Sequence, residues 1–396
     1  MLKIALIGAG KMGISHLAIL GGYADTDIVG VCDTSKMVTD FLTKHGKFNC
    51  FSDYGKMIAE TKPDAVIVAV PTKFHYSIIK DLLEKNIHVF AEKPFCLNYE
   101  QSEELVALAA KNKVVNQVGY HNKFFGTFQE TKKIAVSGAL GDIYHFIGES
   151  YGPVVLKKKA ETWRSDPAEG GGCLLDYASH VIDLLNDTLS PITAAKGTLL
   201  KSIYSGKVED AVYSLLELAS GQTGLLSVNW SDDTYRKMST SITLVGTKGK
   251  LIADANELKV FFKDDNALDG YSKGWNVKYI TELQGGVDFY LRGEEFSSQL
   301  NYFVRAASGL APNTINNFAS AAKTDKAIFI IIKVQNKAQW KEFFLEITSF
   351  LQSIIFQTAN PGSNQYDLKT TAQLLKYWTM QLAQVLTPLC VQHMTG

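Results

Sequence analysis

Residues 3–13, KIALIGAGKMG, decide the fold. Lys3 and the four apolar residues after it read as a buried strand and run directly into Gly8-Ala9-Gly10-Lys11-Met12-Gly13, and a helical run to about Leu20 follows. Strand, glycine-rich turn and helix in that order form a phosphate-cradling unit. Gly8 permits the tight turn, Gly10 lets the backbone approach a pyrophosphate, and Gly13 lets the helix pack close to the strand. The helix start then offers free N–H groups and partial positive charge to an anion. A second strand, 28–32, ends at Asp33, twenty residues past Gly13. An acid there accepts hydrogen bonds from ribose hydroxyls and repels a 2′-phosphate, which favours NAD. Lys36 lies close enough to keep NADP open.

Working outward, apolar strands at 65–70, 87–91 and 114–118 alternate with helical stretches at about 75–85 and 99–111. That alternation predicts βαβ units and a doubly wound parallel sheet over 1–120. Beyond Gly119 the pattern changes. Residues 124–137 read as a helix and 141–150 as a strand, and a helix runs from near Gly172 to about Leu185. From about Ala194 to Val260, period-two alternation with glycine turns predicts a large, mostly antiparallel sheet. Residues 263–285 read as a long polar loop. Helices return at 293–308 and 318–332. The division expected is therefore a Rossmann domain over 1–120, an α/β substrate and oligomerisation domain over 121–335, and a helical extension of unknown role over 336–396. That extension reads as two helices, 338–357 and 367–386, around Asn-Pro-Gly at 360–362.

Composition excludes several classes. With 46% hydrophobic and 20% charged residues and no net charge, the chain has no basic excess for nucleic acid or an anionic membrane. Its longest apolar stretch, 343–356, is interrupted by Glu346 and too short to span a bilayer. The five cysteines, Cys32, Cys50, Cys96, Cys173 and Cys390, form no CxxC pair and no zinc-ligand spacing, so no metal is expected. Scattered thiols and a start that enters a strand without a leader point to the cytoplasm.

Two further segments carry chemistry. Glu92-Lys93-Pro94 follows strand 87–91, at the carboxyl edge where doubly wound sheets bind ligands. Pro94 fixes that turn and admits a cis bond. Asp176 and His180, after Gly170-Gly171-Gly172, stand four apart on a predicted helix, with Asp183 one turn on. A carboxylate beside an imidazole orients the ring and raises its proton affinity. Oxidising an alcohol needs a base for the hydroxyl proton, which suits His180, and a donor to the reacting oxygen, which suits Lys93. The same spacing also serves a helix whose Asp and His merely pack together.

These pieces resemble the Gfo/Idh/MocA family, which includes glucose–fructose oxidoreductase and inositol 2-dehydrogenase. The matching segments are GAGKMG at 8–13, AVPTKFH at 69–75, AEKPF at 91–95, VGYHNKF at 118–124, WRSDPAEGGGCLLDYASHVID at 163–183 and VGTKGKL at 245–251. FYLRGEEFSSQLNYFVRA at 289–306 resembles the family's late helix, and the resemblance ends near 335. It implies an NAD(P)-dependent oxidoreductase acting on a secondary hydroxyl of a sugar, nucleotide sugar or cyclitol. The catalytic set it implies is Lys93, Asp176 and His180. The cofactor contacts it implies are Gly8, Ala9, Gly10, Lys11, Met12, Gly13, Asp33, Pro71, Thr72, His75, Glu92 and Lys93. Tyr120, Asn122, Trp163 and Arg164 line the substrate site with Asp176 and His180, and Arg164 is placed to engage hydroxyls, a carboxylate or a phosphate. The family's open sheet implies a homodimer or homotetramer. Ala178 and Lys123 depart from the family's usual Gly and Arg without touching this chemistry. Two other readings stand beside it. In one, tightly held NAD is recycled internally to cleave a glycoside or epimerise a centre. In the other, the chain is a cofactor-sensing regulator without catalysis.

Overall fold

The structure is a computed structural model and describes residues 1–158 and 162–335. Its first sheet contains β1 (Leu2–Ile7), β2 (Thr26–Cys32), β3 (Cys50–Phe51), β4 (Ala65–Val68), β5 (His88–Ala91) and β6 (Asn116–Val118). All pair in parallel in the order β3-β2-β1-β4-β5-β6. The order reverses between β1 and β4, and a crevice opens at their carboxyl ends.

Alternation along each strand explains why both faces are covered. Ile4, Leu6, Ile67 and Phe90 project into one apolar layer, while Ala5, Ile7, Val66, Val68 and Val89 project into the other. Helices α1 (Lys11–Leu20) and α2 (Lys36–Gly46) contribute to the first layer, and α3 (Tyr54–Thr61), α4 (His75–Glu84) and α5 (Tyr99–Asn112) to the second. Each such side chain, fully buried, is worth about 1.5–3 kcal/mol of transfer free energy. Asp53 and Asn98 cap α3 and α5 by accepting from the Lys56 and Gln101 amides.

Beyond the first sheet come α6 (Gly126–Val136), β7 (Ile143–Tyr151) and α7 (Ser179–Thr188), the last preceded by a π-helical turn at Leu174–Ala178. The second sheet continues with β8 (Ile192–Lys201), β9 (Ala211–Leu218), β10 (Thr223–Asn229), β11 (Ser239–Gly246), β12 (Gly249–Asp254), β13 (Glu257–Phe262) and β14 (Gly274–Tyr279). Its order is β14-β13-β12-β11-β7-β10-β9-β8, antiparallel except for the β7–β10 pair. The inward face packs on α6 and α7, where Phe146, Trp230 and Val181 are fully buried. The opposite face carries exposed Leu199, Tyr213, Leu215 and Leu225.

Two differences from the sequence reading stand out. The stretch 263–285, expected as a loop, contains β14 and a single helical turn, α8 (Ile280–Leu283). The β14 residues Trp275 and Val277 pair with Phe261 and Lys259, and this pairing with β13 overrides a polar, glycine-rich composition. The chain also returns from the second sheet to the first. Leu300, Phe303 and Val304 of α9 (Glu294–Ala307) enter the layer under β1, and Phe318, opening the helical residues 318–335, packs against Phe95. Ala327, Ile328 and Ile331 of that helix reach the core under the second sheet. Among the described residues no helix is long and apolar enough to cross a membrane. The two helices expected at 338–357 and 367–386, the apolar stretch 343–356 and Cys390 lie outside the described residues.

Candidate active site

The glycine turn has the close contacts its motif requires. Gly8 sits at φ 94°, and a Cβ there would lie 2.5 Å from the Ala69 carbonyl oxygen. A Cβ on Gly13 would meet the Gly8 carbonyl oxygen at 1.8 Å. Gly10 caps α1 with no side-chain hydrogen bond, and a Cβ there would meet nothing within 4 Å. Asp33 accepts from the Ala9 amide through Oδ2 at 2.7 Å and from the Ser35 amide through Oδ1 at 2.8 Å, which ties the turn to the end of β2. Lys36 turns away to Asp40 at 2.7 Å on its own helix. Two adjoining cavities of about 420 and 360 Å³ share Gly10, Ala69, Val70 and Pro71. Asp33 lines the first, and Lys11, Met12, Thr72, Lys93, Arg164 and Asp176 line the second. An uncapped helix start, an approach free of side chains and a carboxylate at the far end fit a dinucleotide.

Lys93 follows β5, and its peptide bond to Pro94 is cis. Its Nζ donates to Asp176 Oδ1 at 2.5 Å and to the Asp176 carbonyl at 3.0 Å. Arg164 Nε donates to Asp176 Oδ2 at 3.1 Å. Burial opposes charge on Asp176, but the two cations outweigh it and hold the carboxyl below its usual range. The carboxylate expected beside His180 is thus engaged elsewhere, and no hydrogen bond joins the two side chains. A regular α-turn would stack positions four apart, whereas the π turn at Leu174–Ala178 widens the helix between them and alters that register.

His180 is buried, and its Nδ1 has no partner. Its ring meets Tyr120 edge-on at 5.8 Å and His121 at 5.0 Å. Burial first, then the charges of Lys93 and His121, push its pKa well below the usual histidine value, so it is a neutral base at pH 7. Tyr120 and Asn122 are buried beside it, and neither the Tyr120 hydroxyl nor the Asn122 Nδ2 has a good hydrogen-bond partner. Trp163 is exposed at the cavity wall with the Arg164 guanidinium 4.3 Å from its ring centre.

Glu92 lines the second cavity but spends its charge on His16, at 2.6 Å behind the turn. His75 lines neither cavity. Its ring nitrogens lie 3.1 Å from the Phe95 carbonyl and 3.0 Å from the Val70 carbonyl, a bridge between the β4 and β5 ends. Cys32, Cys96 and Cys173 are buried free thiols, and burial pushes Cys32 up to about 11. Lys123, deeply buried, pairs with Asp183 at 2.8 Å beneath the site.

Sequence reading assigned no role to three residues that the structure brings here. His121 lies inside VGYHNKF between two chosen neighbours, stacks on Phe296 at 4.6 Å and is pushed down to about 4 by burial and by Lys93 and Arg292. Arg292 lines the second cavity and reaches Ser15 of α1. It comes from the segment that returns to the first sheet, a placement no local pattern announces. His16 sits in an apolar helix run and gives no signal until Glu92 is seen beside it.

Both sheets fall within segments that match known proteins. Residues 2–120 match the oxidoreductase family NAD-binding Rossmann fold, and residues 128–252 match the GFO/IDH/MocA C-terminal domain. D-glucoside 3-dehydrogenase of Escherichia coli (strain K12) is 29% identical over 187 residues, 46% of this chain. The match spans only about half, 52%, of that relative's length. Inositol 2-dehydrogenase of Rhizobium meliloti (strain 1021) is 25% identical over 82% of this chain and 96% of its own. Among solved structures, a levoglucosan dehydrogenase complex with NADH and levoglucosan superposes with a TM-score of 0.73 at 20% identity, covering 85% of this chain and 97% of that one.

Proposed function

The chain belongs to the GFO/IDH/MocA oxidoreductase family, and from that premise we propose that it transfers hydride reversibly between NAD and a secondary hydroxyl carbon of a sugar, nucleotide sugar or cyclitol. The observation that carries this is the Lys93–Asp176 pair in the wall of the cavity that begins on the glycine turn, with buried His180 behind it, near enough to feel the Lys93 charge. When bound, the nicotinamide supplies the hydride acceptor. The residues of the chain do the rest. Gly8 to Gly13 and Asp33 hold the dinucleotide, with Pro71 and Thr72 along its course. His75 and Glu92 brace the strand ends and the turn from behind.

A substrate hydroxyl beside His180 gives up its proton to a ring that burial keeps neutral. Lys93 donates to the same oxygen and stabilises the charge that develops as hydride leaves carbon. Asp176 holds Lys93 and Arg164 in place and offsets their charge, which assigns it to positioning cations rather than to orienting the histidine. Trp163, Tyr120 and Asn122 shape the pocket, and Arg164 contacts substrate. The described cysteines, all free, fit a reducing, cytoplasmic setting. Leu215 and Leu225, opposed on the uncovered sheet face, fit a homodimer or homotetramer formed through that face.

The deciding experiment mixes purified protein with NAD and, separately, NADP against aldoses, inositols, sugar acids and UDP-sugars while nicotinamide absorbance is followed. Reduction with one substrate class is the expected result. No reduction with any, and NAD found bound to the protein, would replace net oxidation with an internal redox cycle.

A further inference from the structure

Arg292 is the residue of the second cavity that the reaction above leaves unused. It stands in the connection between α8 and α9 at φ 69°, a left-handed conformation that a long side chain adopts only where its surroundings demand it. Those surroundings are α1 and the turn after it. The Phe289 ring covers Gly22, where a Cβ would come within 2.7 Å of it. Ser297 Oγ donates to the Phe289 carbonyl at 2.5 Å, and the Tyr23 hydroxyl donates to the Ser297 carbonyl at 2.8 Å. Leu291 packs against the apolar layer under β1. The Arg292 guanidinium then lies 5.1 Å from the Phe296 ring centre, with Ser15 Oγ of α1 at 3.5 Å. A segment that returns from the second sheet is thus fastened along the helix that follows the glycine turn.

The charge it brings has no counter-ion. Lys11, Lys93, Arg164 and Arg292 line the second cavity against Glu92 and Asp176. Asp176 pairs with Lys93 and Arg164, and Glu92 is turned to His16. Among the described residues no carboxylate pairs with Arg292, and its hydroxyl partner at 3.5 Å is at the limit of a hydrogen bond. A planar fork of donors, braced on an aromatic ring and lacking a close acceptor, suits an anion with several oxygens. Position says which anion. Gly10 borders both cavities, whereas Asp33 lines only the first and Arg292 only the second. With the adenosine ribose at Asp33, the part of a dinucleotide that passes Arg292 lies beyond Gly10, on the nicotinamide side of the pyrophosphate.

We propose that Arg292 is a cofactor-binding residue that donates to the nicotinamide-side phosphate of NAD, so that a segment arriving from the second sheet holds the dinucleotide together with the glycine turn. The proposal rests on the NAD reading above and adds to its binding set a residue from outside the Rossmann domain. The helix start supplies backbone N–H groups to the pyrophosphate, and Arg292 adds a full charge that the glycines lack.

The test titrates NADH, ADP-ribose and AMP into the full chain by calorimetry, with no substrate present. Arg292→Met keeps an unbranched stem over Phe296 and removes the charge, and Arg292→Gln repeats the measurement should the methionine variant fail to fold. NADH and ADP-ribose, which carry both phosphates, are expected to weaken by about tenfold. AMP, which carries only the adenosine-side phosphate, keeps its affinity, and Arg292→Lys recovers part of the loss. NADH and ADP-ribose binding indifferent to the loss of charge overturns the proposal. Equal weakening of AMP overturns it as well, because the glycine turn itself would then be damaged. NADH weakened with ADP-ribose unchanged moves Arg292 to the nicotinamide and overturns the phosphate contact. Wild-type protein that binds none of the three sinks the dinucleotide reading and this assignment with it, whereas wild-type binding that Arg292→Met leaves intact sinks this assignment alone.

Discussion

Lys93 and Asp176 stand 83 positions apart in the chain, yet the lysine ammonium lies 2.5 Å from the carboxylate and 3.0 Å from the same residue's carbonyl. Arg164 takes the other carboxylate oxygen. Asp176 is therefore the single anion that holds two cations at the wall of the catalytic cavity.

From that arrangement, Lys93→Ala should abolish turnover while NAD affinity stays within a few fold, because the glycine turn and Asp33 are untouched. Asp176→Asn should lower kcat by about 100-fold, since both cations lose their anchor and like charges are left adjacent. Steady-state rates together with NADH fluorescence titration check both. Full activity in Lys93→Ala would overturn the catalytic assignment.

The pH profile follows from His180. Its folded-state pKa lies well below 6.5, so the ring stays a neutral acceptor as pH falls through the ordinary histidine range. The acid limb of kcat/KM for alcohol oxidation should therefore lie below pH 6.5, and His180→Gln should cost about 10²–10⁴-fold in kcat. Stability has the matching sign. The unfolded ring binds a proton near 6.5 and the folded ring does not, so stability falls as pH drops below 6.5. An acid limb at or above the ordinary histidine pKa would contradict the neutral, buried base.

Asp33 does two jobs. Its carboxylate holds the Ala9 and Ser35 amides, and it lines the first cavity, where the proposed reading puts the adenosine ribose. Asp33→Ala should relax discrimination against NADP and also weaken NAD binding by about tenfold, because a turn amide loses its acceptor. Dissociation constants for the two reduced cofactors decide it. An unchanged ratio would show that Asp33 does not read the ribose.

Asp325 supplies a stability test away from the chemistry. It is buried, accepts from the Cys96 amide at 3.2 Å and from Ser102, and burial lifts its pKa from 3.8 to about 7. The folded carboxyl keeps its proton where the unfolded one has lost it, so stability declines as pH rises from about 4 to 7 and the penalty is complete above that. Asp325→Asn removes the charge and keeps an acceptor for both donors. It should gain on the wild type as pH rises, by on the order of 1 kcal/mol or more at pH 8. Thermal melts at pH 5 and pH 8 measure the difference, and equal shifts at both would show that the group never charges.

The catalytic segment shows how far spacing reasoning extends. Reading 174–183 as a uniform α-helix places Asp176 on the face of His180. The inserted π turn is invisible in composition, and it accompanies an anion that turns to Lys93 and Arg164. The residues were legible, but their partners were not. Likewise β14 forms because β13 offers it an edge, although residues 263–285 alone have the composition of a loop.

The sequence by itself determined what depends on neighbours in the chain. These features are the glycine turn between β1 and α1, the acid at the end of β2, the buried parallel strands and the alternating strands after them. Each follows from backbone sterics or from a periodicity that a few consecutive residues display. Only the tertiary structure decided which groups separated in the chain would meet. His121 came to stack on Phe296 and to meet His180 edge-on, Arg292 reached Ser15 of α1 from the approach to α9, and Asp210 tied the β8–β9 connection to Trp230. Those contacts join segments from both sheets, so their geometry is set by how α9 and the helix at 318–335 pack, which no local pattern encodes.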